Sequence, residues 1–245
     1  MWAERYFEVA REKLAEVQEA NAASLAAAAA VLADTLAAGR LIYAFGAGHS
    51  AMLVMDIFYR AGGLVPVQPM FSDKVLLDLV PVTETTAWEK REGWAGALVA
   101  EYGAGAGDTL IAISTSGRNA APIDVALSAR AAGLTVIALT SVAYASSQPA
   151  AHSSGKRLHE TADIVLDNRV DPGDAAISLP ELAPRVGPLS TVLGSALLQA
   201  VIVQATADLL ARGQTPPVFI SSNLPGGREH NDALFAQLRG RLRYL

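Results

Sequence analysis

Cysteine is absent from the 245-residue chain. That absence excludes disulfides, thiolate zinc sites and a cysteine nucleophile, and it is compatible with a reducing compartment. Basic runs are absent too. Nineteen Lys and Arg stand against 24 Asp and Glu, a formal net charge of −5, so there is no general electrostatic footprint for nucleic acid. The four histidines are scattered. None stands at i, i+4 beside a carboxylate, so no metal is expected. The N-terminus, MWAERYFEVAREKLAEVQEA, lacks the basic and apolar regions of a secretory signal. The stretch SLAAAAAVLADTL is mostly alanine, contains Asp34, and is too short and too weakly hydrophobic to span a bilayer. The expectation is a soluble, cytoplasmic protein without a membrane or nucleic-acid partner.

Hydrophobic residues make up 51% of the chain and charged residues 18%, enough to bury a large core. Tyr6, Ala10, Leu14, Val17, Leu25, Ala28, Leu32 and Leu36 recur at helical spacings, with Asn21 on the same stripe. They predict a long N-terminal helix, or two, within residues 1–39, ended by Gly39. Apolar runs at 41–45, 64–68, 108–113, 134–140 and 162–168 alternate with helical patterns. That alternation predicts a three-layer α/β sandwich around a doubly wound parallel sheet of about five strands. Residues 70–93 are polar and turn-rich and carry no clear period. The helix expected at 190–213 is apolar nearly all round, which points to burial on more than one side. A last polar helix is expected over 228–245. Nothing in the composition marks a linker, so residues 1–245 read as one domain.

In such a sheet, ligands bind beyond the carboxyl ends of the strands. After the first strand comes GAGHSA, residues 46–51, matching G-x-G-x-x-A. A dinucleotide site would need an acid about 20 residues on, but the second strand ends in Val67-Gln68-Pro69. No nucleotide cofactor is expected. After the third strand comes ISTSGRNAAP, residues 113–122, where an apolar strand stops at Ser114, Thr115, Ser116 and Gly117. Glycine lets backbone N–H groups turn toward a ligand, the following helix adds its positive end, and the hydroxyls donate. Such an anion site needs no lysine. Helix capping would explain one serine. Three consecutive hydroxyls, with Thr140-Ser141 after the next strand, point to a phosphate cradle.

Here the chain resembles the SIS (sugar isomerase) domain family. The resemblance rests on FGAGHS, ISTSGRNAAPID and AAGLTVIALTS. HSSGKRLHETADIVLDN, VGPLSTVLGSALLQA and PPVFISSNLPGGREHND are similar to a UPF0309-like subgroup. That subgroup is related to phosphoheptose isomerase and N-acetylmuramic acid 6-phosphate etherase. The family's phosphate loop reads roughly Ser-x-Ser-Gly-x-Thr, and this chain has Asn119 at the last position. The resemblance implies a sugar-phosphate ligand, a homodimer or homotetramer, and no cofactor. It implies that Ser50, Ser114, Ser116 and Asn119 hold the phosphate, with Thr115 contributing. Gly48, His49 and Gly117, in the same turns, are expected against the ligand, with capping of the sheet end as the alternative for His49.

Isomerisation moves a proton between two carbons and requires ring opening, and an etherase-type elimination also needs a carboxylate. Glu84, Glu89, Glu92, Glu229 and His230 are candidates in reachable loops. Relatives use a glutamate before the third strand, some with a histidine from a neighbouring subunit. By that resemblance Glu92 is the position match for the base, and His230, beside Glu229, for the ring-opening acid/base. The alternative is a sensor that binds the sugar phosphate without turnover. His152 and His159 fall in a polar segment and are assigned to the surface. Lys156 is assigned to the surface or the rim.

Overall fold

The computed structural model describes residues 1–244. Helices α1 (Trp2–Ala20) and α2 (Ala22–Ala37) replace one long helix and bend by 68° where they meet. Asn21, the polar residue on the apolar stripe, stands at the break and is buried. Its Nδ2 donates to the carbonyls of Val17 and Asp167, each at 2.8 Å, and its Oδ1 accepts from the Asp167 N–H at 2.8 Å. The side-chain amide thus serves as a one-residue strand partner for Asp167 at the sheet edge.

Strands β1 (Ile42–Gly46), β2 (Val67–Pro69), β3 (Thr109–Ile113), β4 (Thr135–Thr140) and β5 (Ile164–Asp167) form one parallel sheet in the order β2-β1-β3-β4-β5. Side chains alternate across it, as the period of two requires. Ile42, Ala44, Ile111, Ile113, Ile137 and Leu139 face one helical layer, built of α1, α2, α3 (Ser50–Ile57) and α8 (Ser190–Ala211). Tyr43, Phe45, Leu110, Ala112, Val136 and Ala138 face the other. That layer holds α4 (Thr83–Lys90), α5 (Ala97–Glu101), α6 (Ala120–Ala131) and α9 (Gly227–Leu238). The expected α/β sandwich is therefore present, and its winding reverses between β1 and β3.

Several elements differ from the sequence reading. The polar stretch 70–93 contains α4. Trp88 carries Lys74 and Arg91 over its ring at 4.7 and 4.2 Å, and Trp94 packs edge-on against it. Those contacts are tertiary and leave no period in the sequence. A short helix α7 (Val142–Ser146) follows β4, and an antiparallel pair, β6 (Ala175–Ile177) and β7 (Val186–Pro188), precedes α8. Helix α9 ends at Leu238, and Leu245 lies outside the described residues. Helix α8 has the length and hydropathy of a membrane span but packs against α1, α2 and α3. Ala28, Ala29 and Ala33 of α2 are buried, and α2 is the helix in broadest contact with α8. Val192, Val203 and Leu210 of α8 stay exposed, so its burial is one-sided in this chain.

Replacing Asn21 by Ala leaves the Asp167 N–H and C=O without their partner. We expect a loss of about 1–3 kcal/mol, read as a lower urea midpoint with an unchanged slope. An unchanged midpoint would show that the amide bridge contributes nothing.

Candidate functional site

The reversal of winding between β1 and β3 opens a crevice at the carboxyl edge of the sheet. There the structure has a cavity of about 550 Å³. Its floor is the β1–α3 turn (Ala47, Gly48, His49, Ser50) and the β3–α6 loop (Ser114, Thr115, Ser116, Asn119). One wall is α4, through Thr83, Thr85, Thr86 and Glu89. The other is Tyr144 of α7 with Gly173, Asp174, Ser190 and Thr191.

Two helices aim their N-termini at this floor. Neither α3, with His49 at its N-cap, nor α6, with Asn119, carries a side-chain cap. Helix capping therefore does not account for the hydroxyls. The N–H groups of Ser50, Ala51 and Met52 donate to the carbonyls of Ala47, Gly48 and His49 at 3.0–3.1 Å, whereas α6 opens with the N–H groups of Ala120 and Ala121 ahead of Pro122, which has none. The strand-to-helix turns depend on glycine. A Cβ on Gly46 would lie 2.6 Å from the Ser50 carbonyl group. Gly117 has φ +60°, and a Cβ there would lie 2.6 Å from Thr140 Oγ1. The loop is fastened to its neighbours. Ser141 N–H donates to the Thr115 carbonyl at 3.0 Å, and Leu158 N–H to the Gly117 carbonyl at 2.9 Å. Arg118, the loop's one cation, points its Nε at the Pro149 carbonyl, 3.1 Å away. What the floor offers is neutral: hydroxyls, an amide and two helix ends, which together suit an anion.

Ser50, Ser114, Thr115, Ser116, Asn119, Gly48 and His49 are brought together at the cavity. Gly117 is buried behind the loop and shapes it without lining the cavity. Glu92, Glu229 and His230 are not brought there. Glu92 lies beyond the end of α4 and accepts hydrogen bonds from the N–H (2.8 Å) and hydroxyl of Ser153. Those bonds hold its carboxyl below the usual glutamate range, which makes it a weaker base. His230 donates from Nε2 to the Val218 carbonyl at 2.9 Å. Val218 bridges to Leu64, ahead of β2, so His230 and the exposed Glu229 sit toward the opposite end of the sheet. Gln68, where a dinucleotide site would want its acid, is buried and accepts from the Arg243 N–H at 2.6 Å.

Glu89 is the glutamate that lines the cavity. Burial pushes its carboxyl up from the usual range, against the opposing pull of the Asn119 amide and the Lys90 charge. A carboxylate raised by desolvation is the setting in which a glutamate works as a base near neutral pH. Its helix is anchored just downstream. Gly93 N–H donates to Asp124 Oδ2 at 2.7 Å, and Asp124 Oδ1 takes His152 Nε2 at 3.0 Å. His152 Nδ1 accepts from the Ser154 N–H at 3.0 Å, so Nε2 carries the proton in the neutral ring. His152 is thus buried and structural, not the surface residue expected. Glu84 is exposed and lies off the cavity. Sequence reasoning passed over Asp174, Tyr144, Ser190 and Thr191. Asp174, in the left-handed region at φ +67°, accepts from the N–H groups of Leu189 (3.1 Å) and Ser190 (2.8 Å) and from the Ser190 hydroxyl. It caps α8 from outside the helix, a long-range partnership with no local pattern.

The SIS domain family model matches residues 5–141. A UPF0309 protein of Shouchella clausii is 37% identical over 244 residues, covering 100% of this chain and 99% of that protein. One from Streptomyces griseus is 42% identical over 241 residues, with coverages of 98% and 96%. Among solved structures, phosphoheptose isomerase from Neisseria gonorrhoeae is similar in fold, with a TM-score of 0.53 at 18% identity, covering 84% of this chain and 98% of that one. The Vibrio vulnificus NanR protein complexed with ManNAc-6P is similar with a TM-score of 0.50 at 15% identity, covering 97% and 69%.

The floor depends on the left-handed turn at Gly117. Gly117→Ala should lower stability by about 1–3 kcal/mol through backbone strain alone, with the Thr140 contact adding to it. A urea midpoint equal to that of the unaltered chain would mean that the loop relaxes at no cost.

Proposed function

The chain belongs to the SIS domain family, and from that premise we propose that it binds a sugar phosphate in the cavity and moves a proton on the sugar. The carrying observation is that the hydroxyl-lined N-terminus of α6, without a side-chain cap, and the half-buried Glu89 carboxyl line one crevice. The phosphate is held by Ser50, Ser114, Thr115, Ser116 and Asn119 with the N–H groups of Ala120 and Ala121 that open α6 and the positive end of α3. Those donors are neutral, so the phosphate keeps its charge and is fixed by geometry. The similarity in fold to phosphoheptose isomerases and to a protein complexed with ManNAc-6P supports a phosphosugar as ligand.

Anchored at its phosphate, an open-chain sugar extends from the floor toward α4. Glu89 there takes the proton from the carbon beside the carbonyl, the electron pair moves onto the carbonyl oxygen, and an enediol or eliminated product follows. The proton of the adjacent hydroxyl passes to the former carbonyl oxygen, and return of the abstracted proton to the former carbonyl carbon completes an aldose–ketose isomerisation. Loss of a substituent instead completes a lyase reaction. Both share the first step, and Glu89 takes the place first assigned to Glu92. His49, on the floor, is the imidazole placed to exchange a proton during ring opening.

The test is solvent deuterium exchange into bound sugar phosphates, followed by NMR. Glu89→Gln should slow exchange by about 10²–10⁴-fold while leaving the dissociation constant within a few-fold. The acid limb of the exchange rate should lie above the ordinary glutamate pKa of about 4.3, because burial raises Glu89. The same shift fixes the sign for stability. A carboxyl raised in the folded state contributes fully below its unfolded pKa, and that contribution is lost as pH rises through the folded value. Glu89→Gln should therefore raise the melting temperature at neutral pH, with the gain vanishing in acid. Tight sugar-phosphate binding with no exchange in the unaltered protein would replace catalysis with sensing.

A further inference from the structure

We infer that the cavity selects sugar monophosphates whose sugar end is uncharged or carries an amine, and rejects those bearing a second anion. The inference rests on the reading above, in which the β3–α6 loop takes the phosphate.

Among the described residues, none that lines the cavity is lysine or arginine. The cations nearby are engaged elsewhere. Lys74 and Arg91 lie over the Trp88 ring, and Arg118 is turned to Pro149. Arg157 donates to the carbonyls of Ala145 and Gln148. The one imidazole that lines the cavity, His49, sits on the floor beside Ser50, at the phosphate end.

The walls carry the opposite sign. Glu89 enters from α4, in one helical layer, and Asp174 stands over the N-terminus of α8, in the other. The two carboxylates therefore reach the cavity from opposite layers. Asp174 is fixed by three donors, from Leu189 N–H, Ser190 N–H and the Ser190 hydroxyl. A carboxylate oxygen can accept two hydrogen bonds, so Oδ2, which takes only the hydroxyl, keeps a lone pair for a sugar hydroxyl or ammonium. A ligand carboxylate or second phosphate brought to this wall meets a like charge with no cation to offset it. The walls offer neutral hydroxyls too, from Thr83, Thr85, Thr86, Tyr144 and Thr191, but an anion there stands beside Glu89 or Asp174, whereas no carboxylate lines the floor.

The experiment is a calorimetric comparison of glucosamine 6-phosphate, glucose 6-phosphate and 6-phosphogluconate, with inorganic phosphate as reference, on the unaltered protein and on Asp174→Asn. Asparagine keeps an oxygen to accept from the Leu189 and Ser190 N–H groups, so α8 stays capped while the charge is removed. The amine and neutral sugars should bind at least ten times more tightly than 6-phosphogluconate, and Asp174→Asn should narrow that ratio at least threefold. Equal affinities for glucose 6-phosphate and 6-phosphogluconate in the unaltered protein would overturn the inference and leave the phosphate site standing. Discrimination untouched by Asp174→Asn in a folded variant would overturn the role given to Asp174. Failure of every ligand, inorganic phosphate included, would overturn the phosphosugar reading and this inference with it. The ranking on the unaltered protein decides the question even where the variant does not fold.

Discussion

The structure depends on one topological constraint: a parallel sheet whose winding reverses between β1 and β3. Helices that follow those two strands must leave on opposite faces, and the space between them cannot be filled by either. Their N-termini, α3 and α6, are left pointing into one crevice without side-chain caps. Each brings the positive end of a helix dipole, and α6 adds the N–H groups of Ala120 and Ala121 ahead of Pro122. In the proposed function, that convergence lets an acidic chain hold an anion without lysine or arginine. The small residues follow from the same constraint, because only glycine fits at Gly46, where strand and helix backbones nearly touch.

The α4 wall is a different kind of structure. Helix α4 is only eight residues long, and its exposed face is polar. It keeps its place through the Trp88–Trp94 contact, the cations over Trp88 and the Gly93–Asp124–His152 chain of hydrogen bonds. A helix held this way presents Glu89 at a fixed height over the floor while the body of the sheet stays unaltered. On the opposite wall, Asp174 does two jobs at once. Its carboxylate satisfies the end of α8, and its charge limits what the sugar end of a ligand can carry.

Much of this was legible in the sequence because it is written locally. The five strands are apolar runs closed by turn residues, and the hydroxyl loop on the cavity floor is a contiguous ISTSGRN. What stayed hidden is written across the chain. Asn21 was visible as a flaw in an apolar stripe, but its reason is Asp167, far away in sequence. Helix α4 leaves no period, because its stability comes from contacts with Lys74, Trp94 and its own neighbours. Choosing among Glu84, Glu89 and Glu92 required knowing which side of that helix meets the crevice. Thr85, Thr86 and Glu89 line it, whereas Glu92 stands past the last turn, bound to Ser153. His230 looked available after a Pro-Gly-Gly turn, and only the return of residues 216–219 along the start of β2 shows it far from the cavity.

The central claim is that an anion rests where the N-termini of α3 and α6 converge. The most direct measurement is a titration of the amide-nitrogen NMR spectrum with inorganic phosphate. The account predicts shifts concentrated at residues 114–121 and 48–51, saturating together with a single dissociation constant. Saturable shifts centred on another part of the chain, or none at high phosphate, would contradict it.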